Sequence, residues 1–169
     1  MNELAIFRDI DTFIFDVDGV LTNSDLLVTE SGELLRTMHT RDGYAMKTAI
    51  NNGYQLIIIT GGGSAGVTKR LQGLGVKHIH AKVKDKLQVF KQLMQELSLD
   101  AKKVLYMGDD LVDFQVMKAV ALPACPADAA PEIMEISKYI SPVIGGKGCV
   151  RDVIKKVMKL HNKWPAQHF

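Results

Sequence analysis

Short apolar runs alternate with longer stretches of helical periodicity along the chain. Runs rich in β-branched and aromatic residues cover Thr12–Phe15, Gln55–Thr60, Lys77–Ala81 and Val104–Met107, with a weaker run at Val120–Leu122. The first, second and fourth runs are apolar throughout instead of alternating with polar residues. This pattern predicts strands that are covered on both faces, as in a parallel sheet.

The stretches between these runs have the spacing of amphipathic helices. Apolar residues recur three and four positions apart within Asp42–Asn52, Ser64–Leu74, Lys86–Leu97 and Gly148–His161. Strands that alternate with helices of this length predict an α/β fold in which right-handed crossovers build a parallel sheet.

Residues 23–40 interrupt this alternation directly after the first strand. They predict a β-hairpin, with strands at Leu26–Thr29 and Leu34–His39 and a turn at residues 30–33. Its apolar residues exceed what an isolated two-stranded ribbon should expose, so we expect the hairpin to pack against other copies of the chain. The intervals between the predicted elements leave no room for a separate cap domain.

Size, charge and cysteine content narrow the class of protein. The 169 residues fit a single domain, 1–169, with a full hydrophobic core, and a net charge of +2 gives no reason to expect a nucleic acid or a membrane as a partner. The two cysteines, Cys125 and Cys149, fit neither a disulfide framework nor a CxxC metal site, which favours the reducing cytoplasm. The first residues contain no run typical of a signal peptide or a membrane span.

Acidic residues follow two of the predicted strands. Asp16 and Asp18 come after the first strand, and Asp109, Asp110 and Asp113 come after the Val104–Met107 strand. The carboxyl ends of parallel strands meet at one edge of the sheet, where ligands bind. Two carboxylates about 4 Å apart repel by roughly 4 kcal/mol at an effective dielectric constant of about 20. We therefore expect a cation between the first pair and Asp109, and Mg²⁺ suits a site with few carboxylates, waters and a phosphate oxygen.

Asp110 and Asp113 have two possible roles. Either could support the metal ligands from behind, or could be an ordinary acidic residue at the start of a helix.

Thr60 and Lys86 are placed to bind an anion at the same edge. The Thr60 hydroxyl is followed by the backbone N–H groups of Gly61–Gly63 at a predicted helix start, which is a common cradle for phosphate. Asp85 and Gln88 have the spacing of a capping box, which puts the Lys86 ammonium in the first turn of its helix.

These groups together predict hydrolysis of a phosphate monoester. Asp16 would attack phosphorus and form an aspartyl phosphate, and Asp18 would protonate the departing alcohol and then accept a proton from water. Thr60 and Lys86 would hold the phosphoryl oxygens. A non-enzymatic phospho-receiver domain is an alternative, but such domains lack a second aspartate two residues after the nucleophile. A purely structural domain is a further alternative, although all these groups are intact.

Four segments resemble the motifs of the haloacid dehalogenase superfamily. FDVDGVLT is similar to the nucleophile motif, IIITGG to the threonine motif, Lys86 to the lysine motif and YMGDDLVD to the acidic motif. The resemblance implies a Rossmann-like, doubly wound parallel sheet. It also implies Mg²⁺ bound by Asp16, by the main-chain carbonyl of Asp18 and by Asp109.

Further segments, TRDGYAMK and IGGKGCVRDV, resemble the small capless sugar-acid phosphatases of this superfamily. That resemblance implies a homotetramer in which the hairpins form a central barrel and a neighbour closes each active site. It also implies a substrate carboxylate, for which Arg41 and Lys147 are candidate ligands. The tail at residues 164–169 could reach a neighbouring site by the same analogy, although a frayed end is the simpler expectation.

The particular sugar acid stays open at this stage. The subgroup implies 3-deoxy-D-manno-octulosonate 8-phosphate or a nine-carbon 9-phosphate, that of KDN or N-acetylneuraminate. Members for the first substrate often have arginine after the Thr-Gly pair and members for the second often have glutamate, whereas this chain has Gly62. We favour the eight-carbon substrate, because lipopolysaccharide biosynthesis is the commoner use of the subgroup.

Overall fold

A six-stranded parallel sheet forms the centre of the protein in a computed structural model that describes residues 3–165. Its strands are β1 (Thr12–Phe15), β4 (Gln55–Ile59), β5 (His78–His80), β6 (Val104–Met107), β7 (Leu122–Cys125) and β8 (Tyr139–Ile140). The strand order is β5-β4-β1-β6-β7-β8, so β1 lies between β4 and β6. The order reverses direction at β1, which identifies the doubly wound sheet expected from the sequence.

Helices cover both faces of this sheet. They are α1 (Thr40–Asn51), α2 (Ala65–Gly73), α3 (Lys86–Glu96), α4 (Phe114–Met117), α5 (Pro131–Ile136) and α6 (Cys149–Leu160). Phe13 and Phe15 point into a core shared with α1, α2 and α6, whereas Ile14 points into a second core shared with α3, α4 and α5. Burial on both faces explains why β1 has no alternating polar residues.

The sequence predicted the central strands and the long helices, and missed some of the peripheral elements. The strand predicted at Val120–Leu122 begins later than expected: it is β7, which starts at Leu122 and has Pro123 as its second residue. β8 has two residues, and α4 and α5 have four and six. Segments this short do not complete enough of a period for a hydrophobic pattern to identify them.

The hairpin is present and is shorter than predicted. It pairs β2 (Leu27–Val28) with β3 (Leu34–Leu35) in antiparallel register, and Gly32 in its turn has a φ of 81°. Leu27 and Val28 are 67% and 63% exposed. Within residues 3–165 there is no cap domain, as the sequence predicted, and no helix of this part is both long enough and apolar enough to cross a bilayer.

Candidate active site

Neighbouring strands of the sheet bring three carboxylates together. Asp16 follows β1 and Asp109 follows β6, and these strands are paired so that Phe15 lies opposite Met107. Side-chain oxygens of Asp16, Asp109 and Asp113 all lie within 4.8 Å of one another. The convergence expected at the carboxyl edge of the sheet is therefore present for these residues.

The loop after β1 turns tightly around the first aspartate. The Val17 N–H donates to Asp16 Oδ1 at 2.7 Å, and the chain then folds through a turn over Val17–Leu21. Gly19 in this turn has a φ of 86° and lies against the Asp109 carboxylate, with no space for a Cβ. The glycine that follows the two aspartates is thus required both by its backbone conformation and by the approach of Asp109.

Lys86 is buried between two of these carboxylates. Its Nζ lies 2.8 Å from Asp16 Oδ2 and 2.7 Å from Asp113 Oδ1. The Asp85 side chain accepts a hydrogen bond from the Gln88 N–H at 2.9 Å, which is the cap predicted for α3. Lys86 consequently lies in the first turn of that helix, where the sequence placed it.

Asp113 supports the site from behind. It is fully buried, and besides Lys86 it accepts hydrogen bonds from the Tyr106 hydroxyl at 2.6 Å and from the Asp109 N–H at 3.2 Å. These contacts orient Lys86 and the backbone of Asp109. Sequence reasoning missed Tyr106, because a tyrosine inside an apolar strand resembles any other core residue.

Asp110 lies differently from Asp113. It is exposed, and its Oδ1 accepts a hydrogen bond from the Leu111 N–H at 2.7 Å at the start of a 3-10 turn. Of the two roles left open for this residue, its contacts correspond to the acid that begins a helix.

Burial and the closeness of like charges shift the pKa values of the charged residues in this cluster. Burial, together with the charge of Asp113, raises the pKa of Asp16 to about 6 despite the nearby ammonium. Burial and the charges of Asp16 and Asp113 raise the pKa of Asp109 to about 7. Burial alone would lower the pKa of Lys86, but these carboxylates raise it above its usual value. A buried group of hard oxygen donors whose charges repel one another fits a divalent cation such as Mg²⁺.

A second group of polar residues lies beside the cluster, at the end of β4. Thr60 is buried, and its Oγ1 accepts a hydrogen bond from the Gly62 N–H at 3.2 Å. A Cβ on Gly62 would lie 2.8 Å from Asp18 Oδ2 and 3.6 Å from Thr60 Oγ1, which places both oxygens next to this loop. Gly61 is exposed in the same loop, and Ser64 caps the α2 helix that follows it.

The Asp18 carboxylate is paired with an arginine that sequence reasoning missed. Arg36 Nε donates to Asp18 Oδ1 at 2.6 Å and Arg36 Nη2 donates to Oδ2 at 3.1 Å. Arg36 directly follows β3 of the hairpin. The sequence did contain one indication of this contact, because Arg36 is a basic residue in the predicted hairpin that begins just after Asp16 and Asp18.

The candidate ligands for a substrate carboxylate lie outside these contacts. Arg41 is exposed in the first turn of α1, and Lys147 is exposed in the loop before α6. Among the described residues, no hydrogen bond or ion pair joins either side chain to the carboxylates. The loop that carries Lys147 does pack against the turn after β1, because the Gly146 N–H donates to the Val20 carbonyl at 2.9 Å.

A cleft of about 710 Å³ lies between the hairpin and α2. Arg36 and Arg70 are among its lining residues, so basic groups face it from both sides. Sequence reasoning did not single out Arg70, which looks like any polar residue of an amphipathic helix.

Comparison with known proteins shows where this fold and site belong. Residues 13–120 match the family described as haloacid dehalogenase-like hydrolase. The chain is 34% identical over 160 residues to the 3-deoxy-D-manno-octulosonate 8-phosphate phosphatase of Escherichia coli strain K12, covering 95% of this chain and 85% of that protein. The chain belongs to the haloacid dehalogenase-like hydrolase family.

Solved structures give the same result. One is a putative 3-deoxy-D-manno-octulosonate 8-phosphate phosphatase from Vibrio cholerae, with a TM-score of 0.92, 36% identity and coverage of 98% of this chain and 92% of that chain. Another is the corresponding phosphatase from Moraxella catarrhalis in complex with a magnesium ion, a phosphate ion and a KDO molecule. It has a TM-score of 0.91 and 29% identity, with coverage of 95% of this chain and 92% of that chain.

Mg²⁺ should stabilise the fold more at pH 8 than at pH 5. The raised pKa values of Asp16 and Asp109 mean that metal-free stability is lost as the pH rises from about 4 through 7, when both side chains become charged. A cation offsets that repulsion and binds the deprotonated forms. Melting temperatures in EDTA and in Mg²⁺ at both pH values would measure the difference, with Asp109→Asn as a variant that should reduce it. An equal effect of Mg²⁺ at pH 5 and pH 8 would contradict this assignment.

Asp113→Ala should destabilise the protein by about 2–3 kcal/mol, because it leaves the Tyr106 hydroxyl without its buried acceptor and Lys86 with one partner fewer. Loss of the repulsion between Asp113 and the other two aspartates offsets part of the cost. Asp110→Ala removes one exposed capping contact and should cost about 1 kcal/mol. Chemical denaturation in Mg²⁺ compares the two variants. Equal losses would show that the buried contacts of Asp113 have no special importance.

Proposed function

We propose that this protein is a Mg²⁺-dependent phosphoric monoester hydrolase that converts 3-deoxy-D-manno-octulosonate 8-phosphate into the free sugar acid and phosphate. The observation that carries the proposal is the convergence of Asp16, Asp109 and Lys86 at one sheet edge, with Asp18 and Thr60 beside them. The relatives described above are named for this substrate, which favours it over the nine-carbon 9-phosphates. The corresponding process is lipopolysaccharide biosynthesis.

Asp16 is the nucleophile of this mechanism. Hydrogen bonds from Val17 N–H and the ammonium of Lys86 fix both of its oxygens and leave lone pairs on each for attack. An Asp16 oxygen forms a bond to phosphorus while the bond from phosphorus to the sugar oxygen breaks. Asp18 gives its proton to that departing oxygen. In the second step, Asp18 takes a proton from water, the water oxygen attacks phosphorus, and Asp16 is released as a carboxylate.

The metal would be held by the Asp16 and Asp109 side chains and by the Asp18 main-chain carbonyl. When bound, Mg²⁺ neutralises negative charge on the carboxylates and on the phosphoryl oxygens. Asp113 acts through Lys86 and through the Asp109 backbone, so its contribution is to hold these groups in place.

The phosphoryl oxygens would be bound by three kinds of donor. Thr60 supplies a hydroxyl, Gly61 a backbone N–H and Lys86 an ammonium. Lys86 stays charged throughout because its pKa is raised by its two carboxylate partners. Its position between Asp16 and Asp113 keeps that charge next to the attacking oxygen.

The sugar acid would extend from the phosphate toward basic groups at the rim. Arg41 and Lys147 are our candidates for the substrate carboxylate, and Lys147 is carried by a loop that contacts the turn after β1. The cleft between the hairpin and α2 has a volume typical of small-molecule sites. Gly62, in the loop beside this cleft, has no side chain that would occupy the space next to Asp18 and Arg36.

A phospho-receiver domain is the second candidate. It would share the aspartate nucleophile, the threonine and the lysine, but it has no use for an acid–base group. Asp18 lies beside Thr60 and is held there by Arg36, an arrangement that serves turnover and that a phosphate acceptor alone would not need.

We also propose that residues 1–169 form one phosphatase domain that works as a homotetramer in the cytoplasm. The apolar side chains of the hairpin are exposed in the single chain, which suits burial against other copies. Cys125 and Cys149 are both buried and unpaired, as expected in a reducing compartment. Trp164 and Pro165 are described, whereas the rest of the predicted 164–169 tail lies outside the described residues.

Asp18→Asn should reduce turnover of 3-deoxy-D-manno-octulosonate 8-phosphate by about 10²–10⁴-fold while the melting temperature is retained, because the amide cannot move the proton. Phosphate release with Mg²⁺, measured in parallel on eight-carbon and nine-carbon substrates, tests the reaction and the sugar together. Undiminished turnover by the variant would refute the acid–base role, and a preference for a nine-carbon substrate would refute the proposed sugar.

Val28→Glu should shift the protein from a tetramer to smaller species, because it places a charge on the apolar surface of the hairpin. Ile140→Glu is a matched control on β8, where an exposed apolar residue is also replaced by glutamate. Sedimentation velocity distinguishes the species. A wild-type monomer with full activity would contradict both the assembly and the idea that a neighbour closes the site.

A further inference from the structure

The contact between Arg36 and Asp18 has the geometry of a positioned pair. Two parallel hydrogen bonds, of 2.6 and 3.1 Å, join the guanidinium edge to both carboxylate oxygens. Such bidentate contacts fix the plane of the carboxylate as well as its distance. An ordinary surface ion pair fixes neither and contributes little.

The hairpin itself orients the guanidinium. Arg36 Nη1 donates to the Leu34 carbonyl at 3.0 Å, so all three nitrogens of the side chain are engaged. Leu34 is in β3, and its carbonyl therefore moves with the hairpin backbone. The direction of the Asp18 carboxylate is in this way tied to the conformation of residues 34–36.

The pair also lies close to the loop that follows β4. A Cβ on Gly62 would lie 2.8 Å from Asp18 Oδ2 and 3.3 Å from Arg36 Nη2. Asp18 and Arg36 line a small pocket together with Thr60 and Gly62. The carboxylate is thus confined between the hairpin and the threonine loop, next to the hydroxyl assigned to phosphate binding.

Two lone pairs of Asp18 remain for chemistry. An ionised carboxylate has about four acceptor positions, and Arg36 occupies two of them. One of the others can accept the proton from water in the second step, and the same proton serves the leaving oxygen of the next substrate. Arg36 can therefore keep both hydrogen bonds to Asp18 while the carboxylate takes up and releases the proton.

We propose that Arg36 is a positioning residue that aims the Asp18 carboxylate at the leaving oxygen of the substrate. This inference rests on the proposed function, because it assumes that Asp18 is the acid–base group. It predicts that loss of Arg36 impairs proton transfer specifically, and that binding of the phosphoryl group is left intact.

The test uses two substrates that differ in their need for a proton. The alkoxide of a sugar phosphate must be protonated as it departs, whereas p-nitrophenolate leaves readily without a proton. Because kcat/KM reports the steps up to departure of the leaving group, Arg36→Ala should lower it by about 10–100-fold for 3-deoxy-D-manno-octulosonate 8-phosphate. The loss for p-nitrophenyl phosphate should be less than about threefold. Arg36→Lys, which keeps the charge without the fork, should restore part of the activity on the sugar phosphate.

A double-mutant comparison separates positioning from direct substrate binding. If Arg36 acts through Asp18, adding Arg36→Ala to Asp18→Asn should cause no further loss on the sugar phosphate. A further loss of the same size would show that Arg36 binds the sugar acid itself, and would overturn the proposal. Equal losses on both substrates in the single variant would also overturn it, since they indicate a general structural role.

Thr37→Ala is the matched control, because Thr37 is the exposed neighbour of Arg36. It should leave both kcat/KM values unchanged, and melting temperatures verify that every variant is folded. If Asp18→Asn keeps full activity on the sugar phosphate, the proposed function fails at its acid–base assignment. If Asp18→Asn is impaired and Arg36→Ala is not, the proposed function stands and only this inference fails.

Discussion

Repulsion among three aspartates at one edge of the sheet is the constraint around which this site is arranged. Asp16, Asp109 and Asp113 crowd together, and Lys86 supplies one positive charge where there are three negative ones. The raised pKa values of Asp16 and Asp109 are a measure of the imbalance that remains. A divalent cation offsets this excess of negative charge, and its positive charge also favours the anionic phosphate of a substrate, so metal binding at this edge promotes phosphate binding.

The parallel sheet makes this crowding possible. β1, β4 and β6 are adjacent, and each ends in residues of the site, so the backbone hydrogen bonds of the sheet determine how far apart those residues lie. Burial of apolar side chains in the two hydrophobic cores, which pack against both faces of β1, offsets the unfavourable free energy of bringing like charges together. Asp113 and Tyr106 add a second level of support, because they fix Lys86 and the Asp109 backbone from the interior.

Much of this arrangement can be predicted from the sequence because it depends on local order. Apolar runs locate the buried strands, and the residue after each run is placed at the sheet edge by topology alone. The same reasoning cannot find Arg36, whose partner is eighteen positions away and whose contact depends on how the hairpin folds back. Tyr106 is missed for a different reason: it lies in the apolar strand β6, so the sequence gives no sign that its buried hydroxyl donates to Asp113. β8 and α4 are too short to show a period, and their positions are set by tertiary packing.

The hairpin differs from the rest of the site in what holds it in place. Its two strands share two residue pairs, and Leu27, Val28, Leu34 and Leu35 are exposed, so it has no core of its own. Such a short ribbon is marginally stable unless something else covers it. Yet the hairpin carries Arg36, and through Arg36 it contacts Asp18, the acid–base group of the proposed mechanism. Any surface that covers those four apolar residues would therefore also hold Arg36 and Asp18 in place. If the proposed assembly and the proposed acid–base role are both correct, packing between subunits would stabilise the hairpin and, through Arg36, favour proton transfer.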